Sequence, residues 1–141
     1  DDSFDVDNGY TGTVTNLTVM QTEPGAALVE MTNSGDASIV RTDVTIDGFT
    51  MTASANQKKE GGLYFKDADV TGTFKNGTID MSASTAADGA LHNRDGKALV
   101  ETPTLTGLSV TTNAAGLITG DVAGQAILQD AWDSGAGNSS N

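Results

Sequence analysis

The chain has 141 residues, a formal net charge of -12, no cysteine and one histidine. The length suits a single domain with its own core. The acidic charge disfavours binding to nucleic acid or anionic lipid, and the lack of cysteine excludes disulfides, iron–sulfur clusters and thiolate zinc sites. A single histidine excludes metal centres built from several imidazoles, and no apolar run is long enough for a transmembrane helix.

The composition favours β-structure. The chain contains 20 Thr, 17 Gly and 15 Asp, but 4 Glu. Thr suits strands because its branched Cβ fits a pleated surface, whereas Gly and Asp are typical of turns. We therefore predict an all-β fold, an antiparallel meander that forms a single barrel or sandwich of about 8–10 strands. An acidic N-terminal arm (1–9) and a C-terminal tail (129–141) flank the β domain (10–128), and both termini are expected to be extended.

In the first half of the chain, predicted strands alternate with turns rich in Gly, Asp and Asn. The turn at 23–25 is strong because it reads Glu-Pro-Gly, and a second turn is predicted at 33–36. The clearest strand begins at Phe49, where apolar or small side chains alternate with Thr and Ser. Strands are predicted at 10–22, 26–32, 37–47 and 49–55.

The second half continues this pattern after a polar loop at 56–62. Asn76-Gly77 predicts a two-residue hairpin turn, since both residue types accept a positive φ. A long polar loop follows at 86–96, and residues 124–132 are compatible with a helical turn or with a last strand. Further strands are predicted at 63–66, 68–74, 78–85, 97–101, 105–112, 117–120 and 122–128.

Two weak internal repeats are visible. TGTVTN at 11–16 resembles TGTFKN at 71–76, an offset of 60, and MTAS at 51–54 resembles MSAS at 81–84, an offset of 30. Chance similarity in a chain rich in Thr and Gly explains them about equally well. Gly within such strands indicates a bulge, a bend or a close backbone approach. Because the offsets are irregular, the sequence argues against a solenoid of fixed period.

Motifs for catalysis are weak. His92 lies in a polar stretch and no G-x-S-x-G motif occurs, so we interpret it as an exposed loop histidine rather than as part of a triad. A carboxylate pair could make the protein an acid-based glycan hydrolase. With 19 acidic residues some pair is inevitable, however, and 4 Phe, 2 Tyr and 1 Trp are few for a sugar-binding cleft. We predict that the protein is not an enzyme.

The N-terminal arm offers a candidate calcium site. Asp1, Asp5 and Asp7, with Asp2 and Asn8 beside them, place hard oxygen ligands close together. The spacing does not match an EF-hand loop, and a solvated acidic face is the simpler interpretation. If Ca²⁺ binds here, we expect it to brace loops rather than to catalyse. No other cofactor is predicted.

Charge is unevenly distributed along the chain. Residues 1–40 carry a net charge of -7, residues 41–97 carry -1 and residues 98–141 carry -4, because all 7 basic residues lie in the middle region. Net charge alone keeps monomers soluble. The alternative is that the acidic arm binds the lysine-bearing region of a neighbouring copy. The residues predicted to contact a partner are Asp2, Phe4, Lys58, Lys59, Lys66, Lys75 and Trp132, although Trp132 could equally plug the core.

Three short motifs carry a family resemblance. YTGT at 10–13, VTGTF at 70–74 and LTG at 105–107 resemble strands in the barrel domains of bacterial surface lipoproteins of the transferrin-binding-protein and factor-H-binding-protein type. The resemblance covers residues 10–128 and implies an eight-stranded barrel on a bacterial surface that binds a host protein or a small ligand. The lipidated N-terminal Cys and the Gly- and aromatic-rich late strand of that family are absent, so no functional residue is carried over.

We therefore expect a non-catalytic extracellular β-domain that acts as a structural subunit of a cell-surface or extracellular assembly. A filament, a sheath and an adhesive layer are the forms considered, with contacts made by the termini and the sheet edges between copies of the same chain. The expected location is secreted or on the surface of a prokaryotic cell. The alternatives are a surface-exposed β-barrel that binds a host protein, a glycan or a small ligand, and the glycan hydrolase.

Overall fold

A computed structural model describes residues 1–33, 35 and 38–141, so part of the turn predicted at 33–36 and the first residue of the strand predicted at 37–47 lie outside the described residues. The odd-numbered strands are short, with three residues each, and the even-numbered strands have up to ten. The odd-numbered strands are β1 (Phe4–Val6), β3 (Val29–Met31), β5 (Leu63–Phe65), β7 (Leu91–Asn93) and β9 (Ile118–Gly120). The even-numbered strands are β2 (Thr13–Met20), β4 (Asp43–Thr52), β6 (Thr71–Asp80), β8 (Thr104–Thr111) and β10 (Ser139–Ser140).

Every strand pair in the described residues is parallel. The odd-numbered strands form one sheet in the order β1-β3-β5-β7-β9, and the even-numbered strands form the other in the order β10-β8-β6-β4-β2. We name them sheet A and sheet B. Because the chain alternates between the sheets and advances by one strand each time, it winds as a two-sheet parallel β-solenoid. The predicted antiparallel meander, closed as a barrel or sandwich, is therefore wrong.

The hairpin predicted at Asn76-Gly77 shows why strand direction was misjudged. Asn76 does adopt a positive φ of 58°, as a type I′ turn would require. It lies, however, inside the continuous strand β6, where the chain does not reverse. Gly77 is needed because a Cβ there would lie 2.2 Å from the ring of Phe49 in the neighbouring strand. Asn76 and Gly77 thus form a local kink within a parallel strand instead of a turn between two antiparallel strands.

This kink recurs in every coil of sheet B. The register places Asn16, Gly48, Asn76 and Gly107 opposite one another, with φ between 55° and 78°. Gly137 follows with a φ of 76°, and a Cβ added there would lie 3.5 Å from the Cα of Gly107. Only Gly and Asn adopt this left-handed conformation readily, so the column of Asn and Gly marks the repeat. We call it the left-handed column.

The left-handed column explains the spacing of the buried side chains. In β4, Ile46, Phe49 and Met51 are buried, a spacing of three and then two residues, and Leu105, Leu108 and Val110 repeat it in β8. Strict alternation would require a spacing of two throughout. The residue with positive φ changes the phase of the strand, so that side chains on both sides of it still reach the core.

The offset of 60 in the sequence corresponds to two coils. Thr13 pairs with Thr45 and Thr45 pairs with Thr73, so TGTVTN and TGTFKN occupy equivalent positions two coils apart. The coils differ in length because their connecting loops differ. The number of residues between equivalent positions of neighbouring coils therefore varies along the chain. The argument against a solenoid from irregular offsets is therefore wrong.

The hydrophobic core lies between the two sheets. It is built mainly from alternate residues of the strands of sheet A and from the inward positions of sheet B, and Phe65 and Phe74 meet across it with ring centroids 5.9 Å apart. The polar side chain of Asn93 is fully buried. Asn93 donates to the carbonyl oxygens of Phe65 and Lys97 at 3.0 and 2.9 Å and accepts from the amide of Leu99, so its polar atoms are satisfied.

A helix, α1 (Val122–Ser134), lies between β9 and β10 and makes the all-β classification wrong. Asp121 caps its N-terminus, since its side chain accepts from the amide of Gly124 at 3.0 Å. Leu128 and Ala131 are buried in the core cluster, and Trp132 packs against it half-buried. The stretch that was compatible with a helical turn or a strand is therefore helical.

Both termini take part in the sheets. β1 lies within the arm and pairs with β3, and β10 lies within the tail and pairs with β8. The side chain of Asn138 fixes the tail because it donates to the carbonyl of Leu105 at 2.8 Å and accepts from the amide of Leu108 at 3.0 Å. Among the described residues, no helix has the length and apolar character needed to cross a membrane.

Candidate functional site

A cavity of about 330 Å³ lies beside Glu30 of β3. Val29 and Met31 belong to the core cluster, so Glu30 between them points to the opposite face of sheet A. The cavity combines acidic and basic side chains, and no aromatic side chain lines it in the described part of the chain. Its lining residues are Asp1, Asp2, Pro24, Gly25, Ala26, Glu30, Lys58, Lys59, Glu60 and Lys66.

Glu30 is the central acid of this cavity. The residue is 4% exposed, and its Oε1 accepts a hydrogen bond from Nζ of Lys66 at 2.8 Å. Its other oxygen, Oε2, is buried without a hydrogen-bond partner. An unsatisfied buried acceptor costs about 1–3 kcal/mol, and more when it is charged. Burial raises the pKa of Glu30, and the neighbouring carboxylate of Asp2 raises it further, against the opposing effect of the hydrogen bond from Lys66. That same bond raises the pKa of Lys66.

Two further acids converge on Glu30. One carboxylate oxygen from each of Asp2, Glu30 and Glu60 lies within 4.8 Å of the others, and we call these residues the acid triad. Oδ1 of Asp2 is already engaged, because it accepts from the amide of Ala27 at 2.9 Å. Glu60 forms an ion pair with the exposed Lys59 at 3.2 Å. Its φ of 72° is rare for a non-glycine residue, so the loop holds this side chain at an energetic cost.

Glu30 of the acid triad belongs to a line of polar residues that crosses the outer face of sheet A. The register aligns Asp5, Glu30, Tyr64, His92 and Thr119 across the five strands. The rings of Tyr64 and His92 lie with centroids 5.2 Å apart. Burial, helped by the negative charge of Glu60, raises the pKa of Tyr64 to about 12, so the phenol keeps its proton at neutral pH.

His92 is 9% exposed and lies in β7, so its interpretation as an exposed loop histidine is wrong. Its Nδ1 is 2.9 Å from Oγ1 of Thr119 and 3.6 Å from Oδ1 of Asp88. In a catalytic triad the hydroxyl and the carboxylate contact opposite nitrogens of the ring, so that a proton can pass through it. Here both contact the same nitrogen, and this set of residues cannot activate Thr119 as a nucleophile.

The acids that converge in the described residues are those of the acid triad. None of the predicted calcium ligands Asp1, Asp5 and Asp7 belongs to it. Asp1 lines the cavity, and its carbonyl oxygen accepts from the amide of Ala26 at 3.1 Å. Asp5 lies in β1, and burial followed by the charges of Asp7 and Asp2 raises its pKa. Asp7 accepts from the hydroxyl of Thr32 at 2.7 Å.

The predicted partner contacts divide into two groups. Asp2, Lys58, Lys59 and Lys66 meet around the cavity, so the acidic arm and these lysines already face each other within one chain. The others lie elsewhere in the described structure. Lys75 pairs with Asp47 at 3.6 Å, whereas Phe4 and Trp132 pack against the core.

The sequence interpretation missed Glu30 and Glu60. Glu30 is flanked by Val29 and Met31 in a short apolar strand, and a single charged residue in such a position was the available signal. No feature of the sequence around Glu60 indicated a site, because Glu60 comes close to Glu30 only through the winding of the chain. The separations along the chain, 28 residues from Asp2 to Glu30 and 30 from Glu30 to Glu60, are each about one coil.

The chain matches no protein-family model, and no curated protein or solved structure is significantly similar to it. These comparisons do not bear on the resemblance to surface lipoproteins, although the antiparallel barrel that it implied is not the fold of this chain. No observation on the described residues supports an extracellular, filamentous or adhesive role, and these parts of the prediction are not carried further.

Proposed function

We propose that the chain is a non-catalytic structural module that joins to a second copy of itself by strand addition at β2. The observation that carries the proposal is the position of β2. Within the described residues, this eight-residue strand lies at the end of sheet B and pairs with β4 alone. In the part of the chain that the structure describes, no strand pairs with the other side of β2, and an open edge of this kind is a template for pairing between chains.

The edge of β2 lacks the usual protection against pairing. Natural edge strands carry charged side chains or Pro, or are covered by another element. Residues 8–22 contain no charged residue and no Pro, and β2 lies wholly within this stretch. The kink at Asn16 could disturb pairing at this edge, but the interior strands share it and pair normally around it.

Apolar side chains at the same end supply a reason to associate. Phe4, Val14 and Leu17 pack against the core but remain half-buried, and Met20 is 71% exposed. A cavity of about 340 Å³ next to them is lined by Phe4, Asp5, Val6, Asp7 and Tyr10. A strand added beside β2 would remove apolar surface from water at this end, which contributes roughly 25 cal/mol per Å².

A two-fold axis is the simplest geometry for two copies. Each β2 then pairs antiparallel with the other, and the interface is self-complementary. The same arrangement brings the β1 strands of both copies together, so the carboxylates of Asp5 and Asp7 repel those of the partner. Association is therefore weak at low ionic strength, and it strengthens as salt screens this repulsion.

Acid-based glycan hydrolysis fits the cavity less well than the structural role. Glu30 would have to act on a sugar although it is 4% exposed and bonded to Lys66. A general acid or nucleophile must instead reach the glycosidic bond directly.

The test is sedimentation velocity over protein concentrations from about 1 μM to 1 mM, a range that covers weak and moderate affinities. The wild-type chain is expected to form dimers whose fraction rises with concentration and with salt. Thr18→Lys places a charge on the exposed face of β2 and should weaken dimerisation about tenfold. Thr78→Lys is the matched control, because Thr18, Thr50 and Thr78 occupy one register column and Thr78 is exposed on the interior strand β6.

The control should dimerise like the wild type, because Thr78 lies on an interior strand and not at the β2 edge. Both variants change the net charge equally, so charge alone cannot explain a difference between them. A chain that stays monomeric at every concentration and ionic strength would overturn the proposal. Equal weakening by Thr18→Lys and Thr78→Lys would do the same, because it would show a general charge effect rather than pairing at β2.

A further inference from the structure

We propose that the acid triad of Asp2, Glu30 and Glu60 binds a divalent cation of the size of Ca²⁺ in the cavity beside β3. This site differs from the cluster in the arm that the sequence suggested, because two of its three acids lie outside the arm. It does not depend on dimerisation through β2. Its basis is a cluster of carboxylates together with a buried acceptor that has no partner.

The unpartnered oxygen of Glu30 is the observation that points to a ligand. Lys66 occupies Oε1, but Oε2 is shielded from solvent and receives no hydrogen bond, although the residue lines the cavity. A buried carboxylate oxygen normally has a donor or a cation next to it. A cation between the acid triad residues would satisfy Oε2 and leave the bond from Lys66 in place.

The tolerance of Ca²⁺ for irregular sets of oxygen ligands favours it over Mg²⁺ in this cavity. Oxygens on opposite sides of a bound Ca²⁺ lie about 4.6–5.2 Å apart, and those on opposite sides of Mg²⁺ lie about 4.0–4.2 Å apart. The three ligand oxygens lie within 4.8 Å of one another, a limit that the coordination spheres of both ions meet. Mg²⁺ also demands a stricter geometry, whereas Ca²⁺ tolerates irregular sets of oxygens and keeps some water.

The charges around the cavity set the expected affinity. The lining contains four acids and three lysines, so the attraction for a cation is partly cancelled. Lys59 has 66% of its side chain exposed and can leave Glu60 for water when the ion arrives. We therefore expect a dissociation constant of about 10⁻⁴–10⁻³ M, the range of weak sites.

The experiment uses Tb³⁺ as a luminescent probe for Ca²⁺, excited through Tyr64. Tyr64 is the register partner of Glu30 on the neighbouring strand, and the charges of Glu60 and Glu30 both act on its phenol, so we expect it to excite an ion held by the triad. Tb³⁺ emission is expected to saturate, and Ca²⁺ should compete for the site. The melting temperature should also rise at about 10 mM Ca²⁺, because an ion that binds the folded state alone stabilises it.

Glu30→Gln and Glu60→Gln should each weaken binding about tenfold, since each removes one ligand charge. Glu60 is on a loop, so its variant tests the site even if Glu30→Gln folds poorly. Glu101→Gln is the matched control, because Glu101 pairs with Arg41 on the exposed surface. Asp5→Asn tests the alternative site in the arm, and it should leave binding unchanged.

The proposal is overturned if Tb³⁺ emission and the melting temperature do not respond at these concentrations. It is equally overturned if Glu60→Gln binds like the wild type, or if Asp5→Asn rather than Glu60→Gln abolishes binding. Dimerisation is measured separately on the same samples, so a failure of the cation site is distinguishable from a failure of strand addition.

Discussion

The two ends of the solenoid differ in what covers their last strands. At the C-terminal end, α1 lies against β7, β8 and β9, and it buries Leu128 and Ala131 in the core. At the N-terminal end, β1 and β2 terminate the sheets among the described residues, and Val14 and Leu17 remain half-buried. In the described structure one end is therefore covered by a helix, whereas the other ends in a strand edge with half-buried apolar side chains.

This difference shows how a parallel solenoid limits its own growth. Each coil presents the next one with a free strand edge and an apolar surface, so stacking continues until another element covers both. At the C-terminal end the two-residue strand β10 and α1 together do this. Because the N-terminal end has no such cover in the described structure, an added strand stabilises it, and the predicted dimer uses this property.

The largest expected contrast between the ends comes from equivalent leucine truncations. Leu128→Ala removes a fully buried side chain from the inner face of α1 and is expected to cost about 2–4 kcal/mol in unfolding free energy. Leu17→Ala removes a half-buried side chain and should cost about 1 kcal/mol or less. Urea unfolding at low protein concentration, where dimers dissociate, measures both values. Equal costs would contradict the view that only the C-terminal end is covered.

A smaller contrast is expected within the left-handed column. Gly107→Ala and Gly48→Ala impose the same backbone strain, because φ is 63° and 78°. In each case a new Cβ would lie about as close to Oδ1 of an Asn, at 3.1 Å from Asn76 and 3.0 Å from Asn16. Asn76 is held in the interior strand β6, whereas Asn16 is in the edge strand β2. We expect the edge strand to shift more easily and so to relieve the close contact.

Gly107→Ala should therefore cost about 1–2 kcal/mol and Gly48→Ala should cost less. Thermal unfolding of the two variants provides the measurement. A larger loss for Gly48→Ala would show that the edge strand is as rigid as the interior ones.

Much of the strand content could be predicted from the sequence, but the direction of the strands could not. The predicted strands at 10–22 and 105–112 contain or nearly coincide with β2 and β8. Gly inside a strand indicates a bulge, a bend or a close backbone approach. At Gly107 the register stays one to one and φ is 63°, so this Gly marks a local kink and not a bulge. Asn76-Gly77, in contrast, satisfies a hairpin and a kinked parallel strand equally well, because both require only a residue that accepts positive φ.

The candidate site was hidden for a related reason. Asp2, Glu30 and Glu60 converge because they are about one coil apart, and that spacing becomes meaningful only once the solenoid is known. The clustered aspartates of the arm drew attention instead because they are close in sequence. In a parallel solenoid, however, residues one coil apart are nearer in space than most residues a few positions apart, since neighbouring strands lie about 4.8 Å from each other.

The smallest expected effect concerns the cap of α1. Oδ1 of Asp121 accepts from the amide of Gly124 at 3.0 Å, and its Oδ2 accepts from the amide of Gly96 at 3.1 Å. Asp121→Ala should cost about 1 kcal/mol, because both amides lose their acceptor and the exposed amide of Gly96 can turn to water instead. Hydrogen exchange should then become faster in α1 and in β9 beneath it, while exchange in β2 stays unchanged. Faster exchange in β2 as well would mean that the two ends are coupled through the core, and that covering one end also stabilises the other.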